Sequence, residues 1–539
     1  MNLERRLFLA RTTRLASLAA MAAAFPSALL SPVAASPQIA TRLGSHYPFP
    51  LGVASGSPRP TSVVLWTRLI GDPLDTTPIA DAPLPVRWEV ADDDNFSRIV
   101  AKGVAAALPE LAHSVHVDVT GLRPDRWYWY RFLFGDAVSP VARTRTAPAA
   151  DALPAQLRFA FASCQHWEFG EYGAHRHIAT SSPDLVAFLG DYIYEWGPYG
   201  LAHPEEPRAR DIESFTLQDY RRRYAQYKTD RNLQASHHVA PWIVTWDDHE
   251  IANDYGNDRD ERRDPDFLAR RAAAYQAFYE HMPVRLGTLP DRADRFAFMR
   301  IHDRYDWGRL ARFHVLDDRQ YRSYHACQPP DRGGSSSVTS SCAERTQPER
   351  TLLGREQETW LAEGFASSNA RWNILAQQTL MAQCSQVPAH AEGEGRYWTD
   401  GWDGYPAARA RLFDDIVKYR PANPLVIGGD VHTFYAADLK RDFFQPASAA
   451  NPVIATEFCG TSVTSSSRPQ ARTDQYLVDN PHIRFGRSDR RGWVMVEMTP
   501  QRTTTHFQAL DNVHDANSGF ATIARFVVED GRAGVVRDA

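Results

Sequence analysis

The stretch DLVAFLGDYIYE, residues 184–195, decides the fold class. A short apolar run, Leu185 to Leu189, breaks off at Gly190 into a polar cluster that contains Asp191 and Tyr194. The same form recurs in LRFAFASCQ (157–165), WIVTWDDHE (242–250), GRLARFHVLDDRQY (308–321), RWNILAQQTLMA (371–382) and NPLVIGGDVH (423–432). Between these runs lie helix-like segments such as FTLQDYRRRYAQY (215–227) and DFLARRAAAYQAFYEHM (266–282). Strands alternating with helices predict an α/β layered domain, whose sites form beyond the carboxyl ends of the strands. The polar clusters fall where those ends are expected.

Upstream, the pattern is one of short alternating runs broken by Pro, Gly and Asp: SVVLWTRL (62–69), PVRWEVADD (85–93), SVHVDVTGL (114–122) and RWYWYRFLF (126–134). Period-2 alternation with frequent turns predicts a small antiparallel β-sandwich. Leu122-Arg123-Pro124 followed by Tyr128 and Tyr130 resembles the corner before a late strand in fibronectin type III domains. TAPAADALPAQ (146–156) reads as a linker, which divides the chain into a sandwich at 45–148 and a larger domain at 156–530. A chain of 539 residues exceeds what one core usually serves, in keeping with two units.

The net charge of -5, and the absence of any interleaved basic and aromatic motif, argue against a nucleic-acid-binding module. Residues 1–35 combine Arg5-Arg6, Phe8-Leu9, a mildly apolar Ala/Ser-rich stretch and Val33-Ala34-Ala35. This is the form of an export signal; the paired arginines favour the twin-arginine route over the ordinary secretory one. The expected partner is then the twin-arginine machinery, and the expected location is periplasmic or extracellular. Past the signal no apolar run approaches the roughly 20 residues of a membrane span, so no stable anchor is expected. Of five cysteines, Cys327 and Cys342 flank a Pro/Gly/Ser-rich segment that lets them meet as a disulfide. That segment reads equally as a lid or as a surface insertion. Cys384 and Cys459 read as buried apolar residues.

Taken singly, the polar clusters have structural explanations: a cap for Asp191, turn residues for Asp247 and Asp248, a core histidine for His432. Together, separate strand ends deliver Cys164, Asp191, Tyr194, Asp248, His249, Asp430 and His432, which points to a metal site built by the fold. A carboxylate such as Asp191 can bridge two cations, and the Tyr194 phenolate suits a hard trivalent ion such as Fe(III). Oxygens from Asp248, Asn253 and Asp400 or Asp403 suit Ca²⁺. Arg210, Arg319 and Arg322 are candidates for a phosphate clamp. Beside the motifs, Trp246 is assigned to core packing and Tyr405 to the pocket wall.

The set SCQ (163–165), GDYIYE (190–195), WDDHE with Asn253-Asp254, WDGYPAAR (402–409) and GGDVH (428–432) resembles the PhoD family of alkaline phosphatases and phosphodiesterases, within the calcineurin-like metallophosphoesterases. FPLGVASGSP (49–58), FHVLDDRQYRS (313–323), EFCGTSVTSSS (457–467) and NPHIRF (480–485) extend the resemblance over about residues 47–530. It implies a sandwich before a four-layered αββα domain, and a centre of Fe(III) and Ca²⁺. Cys164, Asp191, Tyr194 and Asp430 would bind the iron. Asp191 would bridge to calcium, joined by Asn253, His432 and one of Asp400 and Asp403. The expected activity is hydrolysis of phosphomonoesters, and of phosphodiesters too, by metal-activated hydroxide. His249 would act as proton donor, with Asp248 or Glu250 fixing its tautomer. The alternatives are a phospholipase D-type phosphodiesterase acting on lipids or wall polymers, and a non-catalytic exported metal-binding protein.

Overall fold

The computed structural model describes residues 46–196 and 212–538, apart from 76, 78, 286, 288–291, 293 and 392. The expected export signal at 1–35 and Arg210 lie outside the described residues.

The continuous apolar runs became interior strands. Leu157–Ala162, Leu185–Leu189 and Trp242–Thr245 pair in parallel in a ten-stranded sheet. Ala311–Val315, Trp372–Ala376, Pro424–Gly428 and Val453–Cys459 do the same in a seven-stranded one. Parallel strands are covered on both faces, so every residue of Leu185–Leu189, Trp372–Ala376 and Pro424–Gly428 is buried and no alternation survives. The two sheets meet across a core of Phe159, Leu185, Phe313, Ile374, Leu425 and Phe458, with the Phe159 and Phe313 rings edge to face at 5.2 Å.

Helices take the remaining faces. Leu217–Lys228 and Phe267–His281 pack Tyr220, Tyr224, Ala274 and Phe278 around Val186, Phe188 and Trp242 of the first sheet. Trp246 belongs to this core and stacks on Tyr275 at 4.2 Å, as its assignment to packing anticipates. On the second sheet, Gly354–Ala366 and Pro406–Tyr419 bury Leu361, Phe365, Leu412 and Phe413 against Leu375 and Val426.

The N-terminal strands form two facing sheets around Val63, Leu65, Val86, Val90, Tyr128 and Tyr130. The Tyr128 hydroxyl accepts the backbone N–H of Arg123 at 2.9 Å. One of these sheets is not separate. Val53–Arg59, Ser62–Arg68 and Ser114–Thr120 extend the ten-stranded sheet, joined to Trp242–Thr245 through the Gly56–Trp242 pair. At Gly56 a Cβ would stand 2.6 Å from the Pro283 carbonyl oxygen and 2.7 Å from that of Trp242, so the junction requires glycine. The linker at 146–156 therefore separates two cores but not two sheets.

At this junction Lys228 is buried, its ammonium 4.2 Å from the centre of the Trp66 ring and 5.2 Å from that of Tyr192. Burial lowers its pKa to about 7, and its charge bears on His116, His237, His238 and His281 around it. The unfolded chain holds this proton up to about pH 10.4, whereas the folded chain releases it near 7. The unfolded state thus binds more protons across that window, and stability rises with pH through it by up to about 1.4 kcal/mol per unit. Thermal melting between pH 7 and 9.5 should climb in the wild type relative to Lys228→Met, and parallel curves would contradict this.

Candidate metal centre

The strand ends converge through a few tight turns. Gly190 has φ +106°, and a Cβ there would stand 2.5 Å from Asp247 Cβ, so only glycine lets these two ends approach. The Glu250 carboxylate accepts the backbone N–H groups of Asp191 (2.9 Å), Tyr192 (2.6 Å) and Asp247 (2.8 Å), clamping the turns together. Cys164 N–H donates to the Gly190 carbonyl and Gln165 N–H to that of Asp191. Four of the expected ligands, Cys164, Asp191, Asp430 and His432, have φ between +52° and +61°. Non-glycine residues enter this region at a cost of about 1–3 kcal/mol each, and such conformations concentrate at functional sites.

Two groups of candidate ligands result. Cys164, Asp191 and His432 form one; Asp191, Asp248 and His249 form the other, with the ligand atoms of each group within 4.8 Å of one another. Asp191 belongs to both. The Tyr194 hydroxyl donates to Asp191 Oδ2 at 2.8 Å, lies 3.2 Å from His432 Nε2 and accepts from Ser465 Oγ at 2.7 Å. His432 Nδ1 meets the Ser466 carbonyl at 2.6 Å, which places the proton on Nδ1 and leaves Nε2 as the ligand atom. Burial and the nearby Arg491 hold its pKa at about 3, so the ring is neutral.

The donor set fits cations on electrostatic grounds. Asp191 Oδ1 and Asp430 Oδ2 are buried without a hydrogen-bond partner. Desolvation comes first for both and, with the Asp247 and Asp248 carboxylates, outweighs the relief that His249 gives Asp191 and Arg319 gives Asp430, so both pKa values stand well above the ordinary range. Burial also raises the Cys164 thiol, with Asp191 adding to the effect. Buried acids facing one another need compensating positive charge, and hard cations supply it. Asp248 Oδ2 accepts the Asp254 N–H at 2.7 Å, and Asn253 Nδ2 donates to Glu261 at 2.6 Å, leaving the Asn253 amide oxygen available.

Several assignments need correction. Asp400 does not join the centre: its Oδ1 accepts from Arg319 (2.7 Å), Arg322 (3.1 Å) and His325 (2.7 Å). Asp403 is held by Arg409 at 2.7 Å and by the Cys384 N–H at 2.8 Å. Neither belongs to the two ligand groups; Asp430 is outside them as well, but its buried Oδ2 has no hydrogen-bond partner. Arg319 and Arg322 are no phosphate clamp either. Both are buried, and Arg319 bridges Asp247, Asp248 and Asp400, so they neutralise the carboxylates from behind. Tyr405 is fully buried, donating to the Ser323 carbonyl and accepting from Arg322, so it lines no pocket. Cys384 is only partly buried and lines the cleft, whereas Cys459 is buried as expected.

The tautomer of His249 is set by a residue the sequence reading passed over. Glu195 Oε2 lies 2.7 Å from His249 Nδ1, while its Oε1 accepts the Asn253 N–H. Burial opposes charge on His249, but Asp248, Glu195 and Asp191 together lift its pKa well above the ordinary value. Its ring stacks on Tyr194 at 4.1 Å. A cleft of about 590 Å³ opens over Asp191, Asp248, His249, Asn253, Asp430 and His432. Cys327 and Cys342 are disulfide-bonded, and the loop they close forms part of the cleft surround: Ser335 N–H donates to Asp254, and Ser337–Thr339 pairs with Arg396–Trp398.

Strand-end carboxylates, a thiol, a phenol and two histidines around one cleft are the donor types from which hydrolases build metal sites. The chain belongs to the PhoD-like phosphatase family, whose model matches residues 159–507, with the model of the family's N-terminal domain matching 34–148. It is 44% identical over 498 residues to alkaline phosphatase D of Bacillus subtilis (strain 168), covering 91% of this chain and 82% of that one. The solved structure of PhoD superposes with a TM-score of 0.85 at 43% identity, covering 92% of this chain and 93% of that one. The protein is a phosphoester hydrolase.

Proposed function

We propose that the protein is an exported, metal-dependent phosphatase that takes phosphomonoesters and also phosphodiesters, with iron and calcium sharing Asp191. The observation that carries this reading is the membership of Asp191 in both ligand groups. Cys164, Asp191, Tyr194 and Asp430 would hold Fe(III); Asp248 and Asn253 would hold Ca²⁺ beside it, with His432 at their border. Bound there, the cations would supply Lewis-acid activation of water and neutralise charge on the phosphoryl group. The Glu250 clamp and the left-handed turns keep these side chains aimed at one point before substrate arrives. His249, with Nδ1 directed to Glu195, presents Nε2 for proton donation to the leaving alcohol.

The four-layered αββα description is supported by the helix contacts on each sheet. Among the described residues no helix is long and apolar enough to cross a membrane. Export by the twin-arginine route rests on Arg5-Arg6 and the stretch after them.

Metal analysis and the visible spectrum of the isolated protein test the metal assignment. A tyrosinate on Fe(III) gives a visible charge-transfer band, expected in the wild type and absent in Tyr194→Phe. A colourless, iron-free and fully active protein would refute it. Turnover of nitrophenyl phosphate against bis-nitrophenyl phosphate reports the monoester and diester preference.

A further inference from the structure

The cleft does not end at the metal ligands. Its wall also includes Tyr435, Ser467, Arg468, Arg472 and Tyr476, so an acidic region and a basic one share one space of about 590 Å³. That is far more than a single phosphate group fills. Arg468 Nη1 donates to the Tyr435 hydroxyl at 2.9 Å, and Arg472 Nε to the Tyr476 hydroxyl at 2.9 Å. Both guanidinium carbons lie over the Tyr476 ring, at 5.4 and 5.7 Å from its centre. Among the described residues neither arginine pairs with a carboxylate, in contrast to Arg319, Arg322 and Arg409 nearby. Arg468 Nη2 and both Nη atoms of Arg472 are left without a protein acceptor there. Arg468 also contributes to lowering the pKa of His432, so the basic region adjoins the metal ligands.

Two guanidinium groups held on one tyrosine ring, with donors unspent, make a preorganised receptor for an anion. In the proposed reaction the scissile phosphate sits at the metal end. We propose that Arg468 and Arg472 form a second anion subsite that binds a negatively charged group, phosphate or carboxylate, on the alcohol portion of the substrate. The enzyme thereby favours phosphate esters that carry a second charge. This rests on the phosphoester-hydrolase reading and specifies its substrate class.

The test compares phosphate release from alkanediol monophosphates, the corresponding α,ω-bisphosphates, and phosphorylated ω-hydroxy acids over a series of chain lengths. Monophosphate hydrolysis, measured in parallel, tests the hydrolase reading by itself. In the wild type, kcat/KM per scissile group should favour a doubly charged substrate of optimal length by about tenfold or more, the scale of one charge-assisted hydrogen-bond set. The bisphosphate and carboxylate arms separate the two kinds of distal anion. In Arg468→Gln/Arg472→Gln the ratio should fall toward one. Arg472 is exposed, so Arg472→Gln alone reports the same fall should the double variant fold poorly. A wild-type ratio of one at every length, or a ratio untouched by either variant, would overturn the subsite.

Discussion

Asp191→Asn is expected to release both cations and to lower turnover by about 10³-fold or more. The carboxylate belongs to both ligand groups, and the Tyr194 hydroxyl donates to its Oδ2 while Oδ1 has no partner. Asparagine keeps the shape and the backbone N–H bond to Glu250 but offers one neutral ligand oxygen in place of a charged bridging pair. Lewis-acid stabilisation is worth several kcal/mol, and about 4 kcal/mol is already a factor near 10³. The same substitution should stabilise the metal-free protein, because there desolvation, with Asp247 and Asp248, outweighs the relief that His249 gives the Asp191 carboxylate. Metal content after gel filtration, kcat/KM on nitrophenyl phosphate, and melting temperatures with and without chelator measure all three effects. A variant that keeps its metals and wild-type turnover would remove Asp191 from the bridge.

What the sequence revealed follows from the range of the interactions involved. Strand ends are local features, so Cys164, Asp191, Asp248, Asp430 and His432 could be read from apolar runs that stop at polar residues. The partner of an ion pair is not local. Arg319 and Arg322 sit in a motif-like stretch and read as phosphate ligands, yet Asp247 and Asp400 claim them from other segments. The same pairing engages Asp400, and Arg409 engages Asp403, whereas Asp248, though also near Arg319, stands in a ligand group with Asp191 and His249. No spacing rule could have distinguished these carboxylates from Asp248. Glu195 stood inside the quoted GDYIYE, but its role depends on His249, 54 positions on in the turn after another strand. Arg468 and Arg472 follow a Ser-rich segment that carries no strand-end signature. The joining of the N-terminal strands to the main sheet rests on a single residue pair, Gly56 with Trp242, which the Pro/Ala linker conceals.

His249→Ala should keep its metals and lose about 10²-fold or more in kcat, the usual worth of a positioned general acid. Glu195→Gln should fall between this variant and the wild type, and the pH profile separates its role from simple packing. A general acid must be protonated, so activity declines as pH rises through its pKa. Although burial works against the charge, Asp248, Glu195 and Asp191 hold the pKa of His249 well above the ordinary histidine value, which keeps the ring charged into the alkaline range. Neutralising Glu195 removes one of these three supports, so the alkaline limb of kcat should move to lower pH, while Glu195→Asp should restore part of the shift. The acid limb, set by other groups, should stay in place. Because His249 also stands in a ligand group with Asp191 and Asp248, the competing role is metal binding. Loss of metal from His249→Ala equal to that from Asp191→Asn, with no shift of the alkaline limb in Glu195→Gln, would assign His249 to the cations and leave the proton to solvent.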